Sequence, residues 1–391
     1  LLDGLSKQSY PAERIEVIVV ADGCSDDTLQ FLSGFKPPYS IKFAEQRGLG
    51  AANARNYGAS LASGDVLIFL DDDIEPSPGL VAAHVAACKD NKTLVVGYSP
   101  IPLKQNSGIF HLVLTAWWDQ KYASMETRGY RRNFQDMLSG NFSISANLFN
   151  THKGFNSHFR CREDYEFGFR LINDGVNINF CKDAWGFHRD DVTDEERSYK
   201  RKKLEGYWDV EFFKIHPEVL SELELRHILK TNNFPKKRIL SFIFSFPVFF
   251  DLLARIGQFL SRTVAYFKLR GYWRRLHQSL IRYWYIRGVS DNVNKTNKII
   301  SLINTAGKLK ANGKELDIDI GGGCEPAERL LDQEEPSSIR IFYNRHLVGC
   351  LGPRPGFERL KGKHLKSVIE REFVWEMMES LSLDHCTRNN R

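Results

Sequence analysis

Apolar positions along this chain fall into short dense runs divided by polar turns, and the runs alternate with stretches of helical spacing. Ile15-Glu16-Val17-Ile18-Val19-Val20 is nearly unbroken and β-branched, which predicts a buried strand. Ala21-Asp22-Gly23-Cys24-Ser25-Asp26 follows; Gly23 suits a tight turn, and Ser25 or Asp26 suits the cap of a helix over 27–34. Ile41-Lys42-Phe43 predicts another strand. Arg47-Gly48-Leu49-Gly50 then opens an alanine-rich helix over about 50–62, ended by Ser63-Gly64. Val66-Leu67-Ile68-Phe69-Leu70 is the next buried strand. This alternation predicts an α/β domain with a mostly parallel sheet flanked by helices.

The pattern loosens downstream. Residues 94–150 mix short strand-like runs with a Trp117-Trp118 pair. Residues 162–174 predict a helix stopped by Asn173-Asp174-Gly175, with a strand over Val176–Phe180. From Lys236 to Gly288, eleven lysines and arginines face one acid, Asp251, among thirteen aromatics. Phe259, Tyr266 and Trp273 recur every seven residues, as do Lys268, Arg275 and Arg282, and Arg255 and Arg262 lie beside the aromatics. Aromatics beside long cations suit a helix at an anionic membrane surface. The competing expectation is a helical hairpin packed on the preceding domain. Ile239–Phe250 is too short to span a bilayer. The alternation in Leu316–Ile320, a hairpin around Asn344-Arg345-His346, and a stripe at Leu365, Ile369, Phe373 and Met377 predict a small α+β unit. The expected divisions are a catalytic domain at 1–220, a basic aromatic helical segment at 221–290, a linker at 291–314 and the small unit at 315–391.

Composition adds little except by exclusion. Seven cysteines in 391 residues form no C-x-x-C pair, which argues against a zinc knuckle and for a reducing compartment. The formal charge of +6 comes with no recognisable nucleic-acid motif, so no nucleic-acid partner is expected. Leu1-Leu2-Asp3-Gly4-Leu5 reads as the middle of a helix, which suggests that a first strand precedes this sequence.

The candidate chemistry sits where strands end. Asp71-Asp72-Asp73 follows Leu70 directly, and Asp22 follows the first run. Ligands of open α/β sheets bind at the carboxyl ends of strands. Three adjacent carboxylates repel one another without a cation, and an all-oxygen set suits Mg²⁺ or Mn²⁺ bridging to substrate phosphates. Arg47 and Arg55 flank the intervening helix start, where they suit a diphosphate. Glu163-Asp164 offers a separate carboxylate for general-base work. A metal–diphosphate site with a distant base suits displacement of a nucleoside diphosphate from a sugar.

Four stretches give the chain a resemblance to family 2 glycosyltransferases of the GT-A, Rossmann-like fold. They are Gln8-Ser9-Tyr10-Pro11 with Glu16–Asp26, Gly48 through Gly58, Gly64–Asp73 with Pro76, and Gly140-Asn141, Gly154-Phe155, Glu163-Asp164 and Arg170-Leu171. The resemblance covers about residues 1–220. It implies that Asp22 contacts the nucleoside, Arg55 lies near the nucleotide, and Asp71 and Asp73 form the D-x-D pair, with Asp73 nearest the metal. It also implies that Asp164 is the general base, with Glu163 as the alternative, and that His188 lies near the metal or diphosphate. Ala21 and Asn156 depart from the family pattern. The implied function is inverting, Mn²⁺- or Mg²⁺-dependent transfer from a nucleotide-sugar to a glycan or lipid-linked acceptor, at the cytoplasmic face of a membrane. A nucleotidyltransferase uses a related acidic site, but Ala54-Arg55-Asn56 and Glu163-Asp164 argue against it. A non-catalytic scaffold has no physical need for Asp71, Asp73 and Asp164 together.

Overall fold

A computed structural model describes residues 1–103, 107–189, 194–229, 234–293 and 315–389. Strands β1 (Glu16–Asp22) and β2 (Ser40–Gln46) pair in parallel. Helices α1 (Leu2–Leu5), α2 (Thr28–Gly34) and α3 (Ala51–Leu61) accompany them. Asp26 Oδ1 accepts from the Thr28 N–H and hydroxyl, so the expected cap is made. The main sheet has five strands in the order β3 (Val66–Leu70), β6 (Asn141–Ser145), β5 (Thr93–Tyr98), β7 (Asn177–His188) and β4 (Ile74–Pro76).

The α/β class and the flanking helices match the expectation, but the sheet is mixed where a mostly parallel one was expected. β5 and β7 are parallel, whereas β6 is antiparallel to both β3 and β5, and β4 is antiparallel to β7. Hydrophobic periodicity reports burial, not strand direction, so the reversal at β6 has no sequence signal. β1 also does not hydrogen-bond to β3. The two pieces share a small core of Leu5, Val17, Tyr39, Ile41, Ile68, Leu70 and Leu80.

The segment expected to hold short strands contains α5 (Ile109–Glu126), an 18-residue helix. Helix α7 (Glu163–Asn173) matches its expected span, and β7 runs eight residues past the expected strand end at Phe180, to His188. The core beneath this sheet is aromatic, with Phe134, Phe142, Phe155, Phe167, Phe169 and Phe212 buried together.

The basic aromatic segment is three helices, α10 (Phe234–Ser245), α11 (Pro247–Tyr266) and α12 (Arg270–Val293). α12 lies along α8 (Glu195–Ile215), so the packed-hairpin expectation holds for α12. A break at Phe267–Leu269, where Lys268 takes φ 56°, separates α11 from α12. The seven-residue repeats therefore run across two helices and do not share one face. Trp273 is buried, donating to Glu195 Oε1 at 2.6 Å and stacking on His277, while Phe259 and Tyr266 are exposed. The expected linker at 291–314 begins inside α12, and residues 294–314 lie outside the described residues.

The C-terminal unit has its own core, including Ile318, Leu331, Ile341, Val348 and Leu365. Its sheet follows the order β10 (His346–Leu351), β9 (Ser338–Tyr343), β8 (Glu315–Asp319). The expected hairpin is present. The expected single helical stripe is divided at Phe373 between the helices Gly362–Glu372 and Val374–Asn389. The unit touches the first domain through the Glu358 N–H to Arg132 O at 2.9 Å and the Arg354–Glu222 ion pair at 2.9 Å.

The α8–α12 crossing depends on two glycines. A Cβ on Gly288 would lie 1.8 Å from Lys203 O, and one on Gly206 would lie 2.1 Å from Tyr285 O. Gly288→Val should therefore force the helices apart, at a cost of about 3 kcal/mol or more, the upper range for overpacking. Thermal unfolding followed by circular dichroism checks this, and an unchanged midpoint would show that the helices do not cross at these residues.

Candidate functional site

The carboxyl ends of β3 and β7 open on the same edge of the sheet, because the chain directions of the order β3-β6-β5-β7 place β3, β5 and β7 parallel in space. Asp71–Asp73 leave β3 there, and His188 ends β7. His188 Nε2 lies 3.2 Å from Asp73 Oδ2, and that hydrogen bond holds the Asp73 carboxyl below its ordinary range. Asp71 is fixed by its own N–H, which donates to Gly140 O at 3.0 Å. Gly140 lies so close that an added Cβ would sit 2.9 Å from Asp71 Oδ2.

Arg55, on α3, links this acidic turn to the second one. Its Nη2 donates to Asp71 Oδ1 at 2.9 Å and its Nη1 to Glu163 Oε1 at 3.0 Å. The side chain is only 14% exposed, so the guanidinium serves as a partly buried bridge. α3 is itself anchored from β1. Asp22 Oδ1 accepts from the Leu49 N–H and from Gln46 Nε2, and Oδ2 accepts from the Gly50 N–H, at 2.6–2.8 Å. These contacts make Asp22 the cap that starts α3. One residue after Arg55, Asn56 donates to Phe155 O at 2.8 Å and accepts from the Phe155 N–H at 2.9 Å. Gly154 has φ +58°, and a Cβ there would meet Asn56 Oδ1 at 2.5 Å, so a side chain is excluded on both grounds. The Asn56 and Gly154-Phe155 motifs are two halves of one contact.

Asp164 lies in the first turn of α7. Among the described residues its carboxylate accepts one hydrogen bond, from the Tyr165 N–H at 2.8 Å. Burial, and then the neighbouring Glu163 carboxylate, push Asp164 up to about 6. Glu163 and Asp164 are thus differently employed: the first is tied to Arg55, the second is free to exchange a proton. Asp72 is exposed, and so is Arg47. Neither takes part in the bridge.

Sequence reading missed Arg162. It holds φ 70°, a left-handed conformation rare for an arginine, at the turn before α7. Its side chain donates to Asp209 Oδ1 at 2.7 Å and Glu205 Oε2 at 3.2 Å on α8 and covers the Tyr165 ring. Although burial opposes it, Arg162 and Lys202 hold Glu205 down at about 2. Tyr285 of α12 donates to the other Asp209 oxygen at 2.6 Å. No spacing rule signals such a long-range cluster. A cavity of about 390 Å³ opens beside it, lined by Trp117, Arg162, Tyr165, Lys202, Glu205 and Glu222 among others. Trp117 is 53% exposed, whereas Trp118 stacks on Tyr122 against the core.

The acidic turn fits a divalent cation in one specific way. Asp73 Oδ1 is buried and has no hydrogen-bond partner among the described residues. Among the described residues, no three His, Cys, Asp or Glu side chains converge tightly enough to cage an ion by themselves. That combination suits an ion shared between one or two carboxylates and substrate phosphates.

Similarity to known proteins agrees with this geometry. Residues 1–152 match the family model described as Glycosyl transferase family 2. A validoxylamine A glucosyltransferase of Streptomyces hygroscopicus subsp. jinggangensis is 27% identical over 250 residues, covering 57% of this chain and 58% of that protein. The chain thus spans little more than half the length of that relative. A poly(ribitol-phosphate) beta-N-acetylglucosaminyltransferase, TarS, of Staphylococcus aureus is 33% identical over 75 residues, 19% of this chain and 13% of that one. A mannosyltransferase structure from Pyrobaculum calidifontis in complex with GDP-Man and Mn²⁺ superposes with a TM-score of 0.47 at 16% identity, over 75% of this chain and 83% of that chain. The part of the chain that matches the Glycosyl transferase family 2 model, residues 1–152, is the part that carries the Asp22 contacts, the Arg55 bridge and the Asp71–Asp73 turn.

Proposed function

We propose that this protein transfers a sugar, with inversion, from a nucleotide-sugar donor to a hydroxyl of a glycan or lipid-linked acceptor, in polysaccharide or glycoconjugate synthesis. A UDP-sugar is the donor we favour, and the cytoplasmic face of a membrane the setting. The observation that carries the reading is the Arg55 bridge, which ties the Asp71 turn and the Glu163-Asp164 turn to one guanidinium. A donor-side acidic turn and an acceptor-side base are thereby held at a fixed separation.

In this reading Asp164 takes the proton from the acceptor hydroxyl as its oxygen attacks the anomeric carbon. The bond from that carbon to the diphosphate oxygen breaks, and its electron pair leaves with the nucleoside diphosphate. One displacement from the opposite face inverts the sugar, and one base suffices. Asp73 would hold Mn²⁺ or Mg²⁺ through its unpartnered Oδ1, with Asp71 and His188 beside it, and the bound ion would supply positive charge where the diphosphate departs. Asp22 fixes the loop at the start of α3, which the nucleoside would meet, and Asp72 faces solvent at the donor side. The cavity lined by Arg162 and Tyr165, the residues on either side of Glu163-Asp164 in the chain, suits the acceptor: Trp117 offers an aromatic face to a sugar ring, and the surrounding charged side chains offer partners to its hydroxyls.

Asp164→Asn keeps the shape and removes the proton acceptor. Transfer should fall by a factor of roughly 10²–10⁴ with donor affinity unchanged. A variant with near-normal turnover would remove the base role from Asp164.

The raised Asp164 value has two consequences of opposite sign. Turnover should rise with pH through about 6, as the carboxyl ionises, and then level. Stability runs the other way: a carboxyl raised on folding makes the native state bind its proton more tightly than the unfolded chain does, so stability falls as pH rises from the ordinary carboxylate value of 3.8 to about 6 and stays lowered above it. Asp164→Asn should raise the melting temperature at pH 8 more than at pH 5. An equal shift at both would show that the residue is not strained by its charge.

Asp73→Ala should abolish Mn²⁺-dependent nucleotide binding, measured by calorimetry with and without EDTA. Retained, EDTA-sensitive binding would move the ion to other residues.

A further inference from the structure

Helix α11 is paired on one side only. Ala254, Gly257 and Ser261 face inward: Gly257 lies against Leu280 of α12, and Ser261 donates to Glu195 of α8. The opposite side carries Val248, Phe249, Leu252, Ile256, Phe259 and Tyr266, which share one face of the helix, with Tyr266 two turns beyond Phe259. All are exposed, Val248 by 79%, Phe259 by 69% and Tyr266 by 81%. Phe242 of α10 and Phe246 at the break between the two helices continue the apolar surface. Single exposed apolar residues are ordinary on a protein surface, but a stripe five turns long is not.

The charged side chains on α11 beside the stripe are basic, although Arg262 also pairs with Glu196 of α8 at 3.2 Å. Arg255 and Arg262 sit seven residues apart, two turns along the same edge of α11, and both are exposed. Lys268, Arg270, Arg274 and Arg275 cluster, exposed, at the turn into α12. The sole acid of this stretch, Asp251, is occupied by Tyr283 and by Arg287 at 3.1 Å. Apolar residues flanked by long cations match the boundary between acyl chains and anionic headgroups, where the apolar face sinks in and the cations reach back to phosphate.

The shape fixes the mode of contact. No single helix among the described residues is long and apolar enough to cross a membrane; α10 and α11 reach that length only together, and they bend by 100° at the break before Pro247. α11 is also covered along its inner side by α12, so it cannot be surrounded by lipid. We infer that α10 and α11 form an elbow that lies in the plane of one anionic leaflet and docks the catalytic domain there without crossing. The inference deepens the proposed function by naming a lipid surface as partner, and it rests on that reading only for its purpose, not for its physics. α12 is the link: it holds the elbow through Asp251–Arg287 and holds α8 through the glycine crossing and Tyr285–Asp209.

The test is cosedimentation of the full chain with phosphatidylcholine vesicles containing phosphatidylglycerol and with pure phosphatidylcholine vesicles. The parent should bind the anionic vesicles and release as salt rises. Leu252→Gln, Ile256→Gln and Phe259→Gln combined should weaken binding on the order of tenfold or more at low salt. Arg255→Gln with Arg262→Gln should weaken binding to anionic vesicles about thirtyfold and flatten the salt dependence. Circular dichroism and hydrolysis of a UDP-sugar in solution accompany each variant, and both should match the parent, since none of these residues touches the site. Loss of vesicle binding with hydrolysis intact supports the elbow whatever the acceptor proves to be, and absence of hydrolysis in the parent counts against the catalytic reading alone. A parent that binds neither vesicle, or binds both equally, overturns the inference. So does a parent dimer in sedimentation velocity that the triple glutamine variant dissociates, because a second copy would then cover the stripe.

Discussion

Everything in the first domain is arranged around one guanidinium. Arg55 meets Asp71 from one side and Glu163 from the other, and these residues are separated by more than ninety positions in the chain. A planar donor fork suits two carboxylates in fixed directions, which a lysine ammonium does not. Taking away Glu163, the more buried of the two acids, leaves the Arg55 charge partly uncompensated, which costs more than the pairing itself contributes. The geometry upstream serves that placement. Asp22 caps α3 so that the helix starts where it does, and Asn56 locks the next turn of the same helix to Phe155. The distance between the Asp71 turn and the Glu163-Asp164 turn is thus a property of α3.

A division of labour between adjacent carboxylates follows. Glu163 is tied to Arg55 at 3.0 Å, and, after burial, its neighbouring carboxylate raises Asp164 to about 6. Asp71 and Asp73 divide in the same way: the first is bridged, the second keeps a buried oxygen without a partner. In both pairs one carboxylate supports the structure and its neighbour is left available for chemistry.

The ends of the strands were legible and the sheet was not. Asp22 and Asp71–Asp73 each follow a dense apolar run, so their placement after strands followed from local pattern, whereas Asp164 opens a helix of mixed period and was singled out only by the family resemblance. Strand direction was invisible, because burial patterns are identical in parallel and antiparallel neighbours, and β6 reversed the expectation. α5 was read as short strands because its apolar and polar residues lie on nearly all sides, leaving no sharp helical face. The seven-residue repeat of aromatics was real in sequence but crossed a helix break at Lys268, so Trp273 turned inward while Tyr266 stayed out. Arg162 had no local signal at all: its partners Glu205 and Asp209 lie over forty positions away, and only the fold brings them to it.

The crossing of α8 and α12 limits how this protein can change. At Gly206 and Gly288 each backbone occupies the volume that a methyl group on the other helix would need. The two positions are closed independently, so no single compensating substitution on the partner helix can reopen either. The outward side of α11 carries no such restriction, since its side chains are exposed and no backbone closes over them. Over evolutionary time, drift in this half of the molecule should therefore be lopsided: the surface facing outward can exchange one apolar residue for another freely, while two hydrogen atoms at the crossing stay fixed.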